Sequence, residues 1–211
     1  MGKLIELIGT SGVGKTTIAH ALEKTGEFHL GLEQHGNRPF QSLFKSNPRY
    51  GLANQFDYLL YRAEQEKQLR QQPLPGILDG GLDQDFHGFT QLFYYRGMLS
   101  QPEFEICSRL YSFIRSQLPL PDLIIHLVAS NAAIQNRLGS RARINIATAE
   151  DANLIDGYLK TWSSTIPREN YLQIDITNTS SSYNEILPYL SGEIRARLGL
   201  DFGKFEIDYI P

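Results

Sequence analysis

The sequence predicts an α/β fold in which a five-stranded parallel sheet carries helices on both faces. Short apolar runs alternate along the 211 residues with longer segments of helical periodicity, and alternating strands and helices are typical of a parallel sheet covered on both sides. Polar residues and glycines follow directly after several of the apolar runs. Parallel strands end at one edge of a sheet, where ligands bind, so we expect these polar residues to form one site.

The five predicted strands are apolar runs bounded by glycine, proline, acids or other polar residues. LIELIG and DLIIHLVAS are the clearest, because a strand that is buried on both faces is apolar along most of its length. The strands are predicted at 4–9, 28–33, 76–81, 122–130 and 171–177.

Helical periodicity fills the segments between these strands. The longest helix is predicted at 52–71 and is stopped by Pro73 and Pro75. Its predicted inner face holds Leu52, Phe56, Leu59, Leu60 and Ala63. The other helices are predicted at 15–26, 84–97, 103–118, 131–139, 149–165 and 182–198.

Length and composition predict one domain, residues 1–211, with a short aromatic tail at 200–211 that has no assigned role. The net charge is −3, so no basic field favours a nucleic-acid partner. No apolar run reaches the length of a membrane span, and we expect no membrane partner. A single cysteine, Cys107, fits a reducing compartment, which predicts a cytoplasmic protein. The helices at 52–71 and 103–118 have enough apolar surface for a homodimer.

The stretch GTSGVGKTT matches the phosphate-loop pattern G-x-x-x-x-G-K-[ST]. Glycines let successive N–H groups turn towards phosphate oxygens, and the helix that follows adds the positive end of its dipole. Lys15 is expected to reach the β- and γ-phosphates of ATP, and the Thr16 hydroxyl to ligate Mg²⁺. The predicted phosphate-binding residues are Gly9, Thr10, Ser11, Gly12, Val13, Gly14, Lys15, Thr16 and Thr17.

Two acids follow predicted strands and are candidates for chemistry at the same edge. Asp79 ends the third strand, where a carboxylate can hold a magnesium-bound water; the alternative is an acid that starts a turn before two glycines. Glu33 ends the second strand and could orient an acceptor hydroxyl, or it could be a solvated loop acid. The acids and histidine of 83–89 fit a helix start better than a metal cluster.

Three arginines, Arg137, Arg141 and Arg143, follow the fourth strand and its helix. They could close over a triphosphate as a lid at about 137–148 and neutralise the charge that grows in the transition state. The alternative is a solvated basic helix end, where cations also favour the helix dipole.

Taken together, these residues resemble the deoxyribonucleoside kinase family of P-loop kinases, which is related to thymidylate kinase. The resemblance implies a three-layer P-loop kinase fold and transfer of a phosphoryl group from ATP to the 5′-hydroxyl of a deoxynucleoside. It rests on the phosphate loop at 9–16, Glu33, the pair Gln55 and Arg62, the pair Asp79 and Asp85, and the arginines Arg137, Arg141 and Arg143.

The resemblance also implies roles for individual residues. Glu33 would accept the proton of the 5′-hydroxyl, and Gln55, Arg62 and Asp85 would bind the base. Lys15 and Asp79, with the lid arginines Arg137, Arg141 and Arg143, would complete the catalytic and phosphate-binding set. Without the family, Gln55 and Arg62 would be read as solvent-facing residues of a long helix.

Three positions depart from the family pattern on the acceptor side. Gly80 stands where the family has an arginine, and Phe44 and Lys160 stand where it has a tyrosine and a glutamate. These departures are typical of a kinase with a changed acceptor. They leave open a nucleoside monophosphate kinase or another small-molecule kinase, and a nucleotide-binding regulatory protein without transfer activity.

Overall fold

The computed structural model describes residues 1–32, 38–139, 151–180 and 182–200. Within these residues the chain forms five strands in one sheet, in the order β2-β3-β1-β4-β5, with every pair parallel. The predicted α/β fold class is therefore confirmed. The strands are β1 (Leu4–Ile8), β2 (His29–Gly31), β3 (Gly76–Asp79), β4 (Leu123–Val128) and β5 (Tyr171–Asp175).

Helices cover both faces of the sheet, and in the described ranges none is long and apolar enough to cross a membrane. The helices are α1 (Lys15–Glu23), α2 (Pro39–Ser46), α3 (Gly51–Leu69), α4 (Leu82–Gln84), α5 (Gln91–Tyr95), α6 (Gln101–Gln117), α7 (Asn131–Gly139), α8 (Asp151–Ser163) and α9 (Leu187–Leu198). A π-helical segment, Asp85–Thr90, joins α4 to α5, so the helix predicted at 84–97 has three parts. The helix predicted from 182 begins only at Leu187, with a proline in its first turn.

The sheet separates two apolar cores, because alternate residues of a strand face opposite sides. Ile5 and Leu7 of β1 pack with α1 and α9, while Ile8 packs with α5 and α8 on the other face. Glu6 lies between Ile5 and Leu7 in sequence and is fully buried on the same face as Ile8. A buried acid in a central strand needs polar partners, and these partners lead to the functional site.

Helix α3 differs from its prediction in the residues that it buries. Leu59 is fully buried as expected, but Leu60 is 48% exposed, so the prediction for Leu60 was wrong. The helix buries a polar stripe as well, because its buried side chains include Asn54, Gln55, Arg62, Gln65 and Glu66. Apolar periodicity identifies only the apolar face of a helix. It does not show which polar side chains are buried with hydrogen-bond partners.

Cys107 of α6 is fully buried among apolar side chains that include Leu59, Leu82 and Phe86. Burial, and secondarily the charge of Glu103, raises the pKa of the Cys107 thiol to about 11. The thiol is thus a core group, and it has the low reactivity of a protonated sulfur.

Candidate functional site

The phosphate loop connects β1 to α1 and is shaped by glycines. Gly9, Gly12 and Gly14 all have positive φ, with values of 142°, 82° and 119°. At Gly14 a side chain is also excluded by space, because a Cβ there would lie 2.2 Å from the hydroxyl oxygen of Tyr183. Gly14 is the N-cap of α1, so the N–H groups of the first helical turn face the loop. This is the arrangement that binds phosphate groups.

Two side chains at the start of α1 point into this region. Lys15 Nζ donates hydrogen bonds to the carbonyls of Gly9 and Thr10, at 2.7 and 3.1 Å. Thr16 Oγ1 donates to Asp79 Oδ2 at 2.6 Å. Asp79 ends β3 and pairs in register with Leu7 of the adjacent β1, which brings its carboxylate to the loop. The sequence placed Asp79 at this edge, and the structure brings it together with Thr16.

The far side of the loop is held through the carbonyl of Val13. Arg137 Nη1 and the Tyr183 hydroxyl both donate to this oxygen, at 3.1 and 3.3 Å. Arg137 Nη2 also donates to the carbonyl of Ile176 at 2.7 Å. Arg137 therefore lies against the loop, with its guanidinium on main-chain oxygens. The phosphate contact expected of it stays a prediction.

Five buried polar residues of α3 and the π-helical segment, Gln55, Arg62, Gln65, Asp85 and Thr90, form a cluster. We call it the acceptor cluster, because the family resemblance assigns three of its members to the base of an acceptor. Its centre is an ion pair between Arg62 Nε and Asp85 Oδ2 at 2.8 Å, with the Arg62 side chain fully buried. Arg62 Nη1 also donates to Gln65 Oε1 at 3.0 Å. Arg62 and Asp85 were placed together only by the family resemblance, and the structure does bring them together.

Thr90 connects Gln55 to the π-helical segment. The Thr90 hydroxyl lies 3.0 Å from Gln55 Oε1 and 2.9 Å from the carbonyl of Asp85. Gln55 is 2% exposed, so its amide is held inside the cluster and does not face solvent. The solvent-facing interpretation of Gln55 and Arg62 is thereby wrong.

The acceptor cluster borders the phosphate loop at Gly80. The Gly80 N–H donates to Leu7 of β1 at 3.0 Å, and a Cβ built on Gly80 would lie 3.3 Å from Arg62 Nη2. Gly80 has φ +67°, which disfavours any side chain there. In this chain, a side chain at Gly80 would meet the amide of Gln84, at 3.0 Å, and the guanidinium of Arg62.

Phe44 and Lys160, the other two departures from the family pattern, make an aromatic contact and an ion pair. Phe44 is 3% exposed and packs edge-on against Phe93, with ring centroids 4.9 Å apart. Lys160 is on α8, where its ammonium pairs with Asp156 at 2.6 Å and its side chain is 53% exposed. Asp156 also lies 3.2 Å from Nε2 of the buried His126.

Several predicted site residues lie outside the described residues. These are Glu33, Arg141 and Arg143, together with most of the lid predicted at 137–148 and the tail from 201. The residue before Glu33 is nevertheless well anchored. The carbonyl of Leu32 accepts hydrogen bonds from the Tyr61 hydroxyl and from Gln65 Nε2, both at 2.8 Å. The chain therefore leaves β2 next to the acceptor cluster.

Behind the site lies a buried charge network that sequence reasoning missed. Asp83 accepts a hydrogen bond from Arg115 Nη2 at 2.7 Å and one from the Tyr111 hydroxyl at 2.6 Å. Arg115 also pairs with Glu66 at 3.0 Å, and Glu66 pairs with Arg70 at 2.9 Å. Two acids thus face two arginines, so the network is neutral before Glu6 is counted.

Glu6 is the third acid of this network. Burial, and next the neighbouring Asp83 carboxylate, raises the pKa of Glu6 well above its usual value. A protonated Glu6 keeps the network neutral, which is the favourable state for groups removed from water. A glutamate inside the otherwise apolar run LIELI was the one sequence signal for it.

His87 lies beside this network in an aromatic environment. Its ring stacks on Trp162 with centroids 4.7 Å apart, and Nε2 lies 3.0 Å from the Tyr111 hydroxyl. Burial lowers the pKa of His87 to about 4. The charge of Asp83 acts against this shift, and the charge of Arg115 adds to it. Among the described residues, no group of three or more histidine, cysteine and acidic residues is placed to bind a metal. Residues 83–89 are helical, as the sequence interpretation has them, in α4 and the π-helical segment.

The architecture is that of P-loop kinases, since the sheet, loop and flanking helices match solved kinase structures. The chain belongs to the deoxynucleoside kinase family, because the family model described as deoxynucleoside kinase matches residues 5–186. The family resemblance drawn from the sequence is therefore confirmed.

Two curated relatives are similar in sequence. A deoxyadenosine kinase of Dictyostelium discoideum is 29% identical over 143 residues, which span 67% of this chain and 58% of that protein. A deoxyadenosine/deoxycytidine kinase of Bacillus subtilis (strain 168) is 24% identical over 143 residues, 66% of each chain. The match thus covers less than two thirds of the length of these relatives.

Solved structures of deoxyadenosine kinase from M. mycoides share the fold. The structure with the products dCMP and a flexible dCDP bound has a TM-score of 0.73 at 17% identity, covering 92% of this chain and 99% of that one. The structure with bound dATP also has a TM-score of 0.73, at 20% identity, covering 89% of this chain and 99% of that one.

Proposed function

We propose that the chain transfers the γ-phosphoryl group of ATP to the 5′-hydroxyl of a deoxynucleoside. The observation that carries this proposal is the adjacency of two sites. A phosphate loop follows β1, and its Thr16 contacts Asp79 at 2.6 Å. The next residue, Gly80, lies beside Arg62 of the buried Arg62–Asp85 pair. Family membership supplies the reaction class, and the two sites supply a place for the donor phosphates and for a polar base.

On the donor side, Lys15 would exchange the carbonyls of Gly9 and Thr10 for phosphate oxygens, because an ammonium binds an anion more strongly than a neutral carbonyl. Thr16 and Asp79 present a hydroxyl and a carboxylate at 2.6 Å, and oxygen groups of these kinds suit Mg²⁺. We therefore assign Thr16 and Asp79 to the metal. When bound, Mg²⁺ neutralises charge on the phosphates. The loop residues 9–17, with Arg141 and Arg143, are assigned to ATP.

On the acceptor side, Gln55, Arg62 and Asp85 would bind the base. The Asp85 carboxylate can accept but not donate hydrogen bonds, so it favours a base with an amino group, such as adenine or cytosine. The relatives act on deoxyadenosine, or on deoxyadenosine and deoxycytidine, by name. Deoxyadenosine is therefore the first acceptor to test. Leu32 lies beside the cluster. Glu33, the next residue in sequence, would take the 5′-hydroxyl proton.

A monophosphate acceptor has less support, since it would need cationic side chains to receive its phosphate. Of the four arginines considered for this role, Arg38, Arg62 and Arg96 already pair with an acid, at 3.3, 2.8 and 2.6 Å. The fourth, Arg49, contacts the ring and hydroxyl of Tyr50. Lys160 pairs with an acid, Asp156. A deoxynucleoside, which carries no phosphate, fits these paired cations better.

The decisive experiment measures ADP release from Mg·ATP with purified protein and a panel of acceptors. The panel holds the four deoxynucleosides, the ribonucleosides and the monophosphates, and Lys15→Ala is the blank. Stimulation by deoxyadenosine or deoxycytidine is expected. Stimulation by monophosphates alone, or ATP binding without transfer to any acceptor, would contradict the proposal. In the same assay, Glu33→Gln should lower turnover far more than it weakens ATP binding.

We also propose a homodimer through α3 and α6 and a cytoplasmic location. Leu60, Ile106 and Phe113 are 48%, 40% and 66% exposed on these two helices, which pack against each other. Apolar side chains gathered on neighbouring helices favour an interface. Light scattering should give twice the chain mass for the wild type, and a lower mass for Phe113→Glu than for the control Tyr189→Glu. A wild-type monomer would contradict the dimer.

A further inference from the structure

The side chain of Gln84 connects the phosphate loop to the acceptor side of the site. Gln84 ends α4 and is 2% exposed. Its Oε1 accepts a hydrogen bond from the N–H of Gly9 at 2.9 Å, across 75 residues of sequence. Gly9 is the first residue of the loop, so this bond fixes the point where the chain leaves β1. Without Oε1, a buried N–H would lose its partner, which is costly inside a protein.

The main chain of Gln84 is itself fixed by the strand that it serves. The Gln84 N–H donates to Glu6 Oε1 at 3.1 Å, so Glu6 of β1 contacts the main chain of Gln84 while Gly9, just after β1, contacts its side chain. Gly81 makes this approach possible, because a Cβ there would lie 2.6 Å from Glu6 Cδ. Glu6 of β1 therefore packs closely against Gly81 and Gln84.

Gln84 is followed directly by Asp85, the acid that pairs with Arg62 at 2.8 Å. The Asp85 N–H donates to the carbonyl of Gly81 at 3.0 Å, so the two neighbours belong to one hydrogen-bonded turn. Gln84 thus contacts Gly9 through its side chain and is joined to Asp85 through the main chain, so it links the phosphate loop to the acceptor cluster.

We propose that Gln84 is a positioning residue that sets the phosphate loop relative to the acceptor, through the oxygen that it offers to Gly9. The inference rests on the proposed function for its consequence in transfer. Its effect on the loop is independent of any acceptor, because the Gly9 contact lies on the donor side. Transfer is sensitive to such alignment, since a misplacement of about 1 Å can cost roughly 10²-fold in rate.

The test compares Gln84→Met, which keeps the length but loses the oxygen, with Gln84→Glu, which keeps an acceptor oxygen. The control Gln91→Met makes the same change on α5 of the same helical segment. With Mg·ATP and deoxyadenosine, we expect kcat to fall about 10- to 100-fold in Gln84→Met, with less than about a threefold change in the deoxyadenosine KM. Gln84→Glu should recover most of the loss, and Gln91→Met should match the wild type.

Calorimetric titration with Mg·ATP in the absence of an acceptor separates this inference from the proposed function. A weaker ATP affinity in Gln84→Met, recovered in Gln84→Glu, would support the positioning role even if no deoxynucleoside were phosphorylated. Wild-type kcat and ATP affinity in Gln84→Met would overturn it. Equal losses in both variants would also overturn it, because the acceptor oxygen would then not be the requirement. Thermal unfolding checks that each variant folds. If Gln84→Met does not fold, the test is made with Gln84→Glu.

Discussion

The phosphate loop and the acceptor cluster face each other across Gly80, and they are built from different parts of the chain. In the loop, three glycines with positive φ turn main-chain N–H groups inward, and the half-buried side chain of Lys15 donates to the carbonyls of Gly9 and Thr10. In the acceptor cluster the groups are side chains, and Arg62 is fully buried against Asp85. One region is shaped by backbone conformation and the other by paired charges.

This difference predicts opposite responses to mutation. A side chain of the loop serves a ligand, so its removal should cost activity and little stability. A side chain of the acceptor cluster satisfies a buried partner, so its removal leaves a charge or a polar atom without compensation. The predictions below are arranged from the largest expected effect to the smallest.

Lys15→Ala should reduce transfer by about 10²–10³-fold or more, because it removes a cation from the developing phosphate charge. The urea-unfolding midpoint should stay close to that of the wild type, since the Lys15 side chain is only partly buried and its hydrogen bonds to the loop are made near the surface. Lys24→Ala, on the exposed end of α1, is the control. Transfer near the wild-type rate would remove Lys15 from the site.

Arg62→Ala should lower the free energy of unfolding by about 3–5 kcal/mol, because the buried Asp85 would lose the guanidinium with which it pairs at 2.8 Å. Equilibrium unfolding in urea measures this loss, and Arg49→Ala at an exposed arginine is the control. A loss below about 1 kcal/mol, the value for surface ion pairs, would mean that the pair is not buried in solution.

Glu6→Gln sharpens the comparison through pH. The raised pKa of Glu6 means that folded protein keeps a proton which unfolded protein releases above its usual pKa of about 4.3. The wild type should therefore lose stability relative to Glu6→Gln as pH rises from that value, by about 1.4 kcal/mol per pH unit until the folded pKa is reached. Unfolding of both proteins between pH 4 and 8 measures the difference, with Glu64→Gln as an exposed control. Parallel pH profiles for Glu6→Gln and the wild type would mean that Glu6 is ionised in the fold.

His87→Phe tests the aromatic side of the network and should have the smallest effect. The pKa of His87 is lowered to about 4, so its contribution to stability is present above about pH 6.5 and is lost as pH falls towards 4. The slope of stability against pH in this window should be shallower in His87→Phe, by less than about 1.4 kcal/mol per pH unit because the ring is partly exposed. The control, His20→Gln, removes an imidazole from the protein surface. An unchanged slope in His87→Phe would contradict the lowered pKa.

The same contrast explains which parts of the site could be predicted from sequence. The phosphate loop needs glycines and a lysine at fixed spacing, because its geometry is local, and Asp79 follows from its place at the end of a strand. The order of strands and helices was likewise predictable from apolar runs. Arg62 and Asp85 came only from the family resemblance, since a polar residue on a helix is usually solvent-facing.

Other parts of the site had little or no local signal. Gln84 acts on Gly9 across 75 residues and Glu6 on Gln84 across 78, so neither bond is visible as a spacing. Tyr183 is, within the described ranges, the one residue other than glycine with positive φ, at 56°, and nothing around it in sequence marks its contact with Val13. Tertiary packing decides these contacts, and a single sequence carries no record of it.

The burial of Cys107 has a practical consequence for fluorescence studies of this protein. The chain has one cysteine, it is fully buried, and its thiol pKa of about 11 keeps it protonated at neutral pH. Maleimide dyes react with thiolates, so the natural protein should stay unlabelled while folded. A cysteine introduced at an exposed position, such as Tyr189, which is 54% exposed, would then carry the dye alone. The native sequence is in effect ready for single-site fluorescence, with no background thiol to remove.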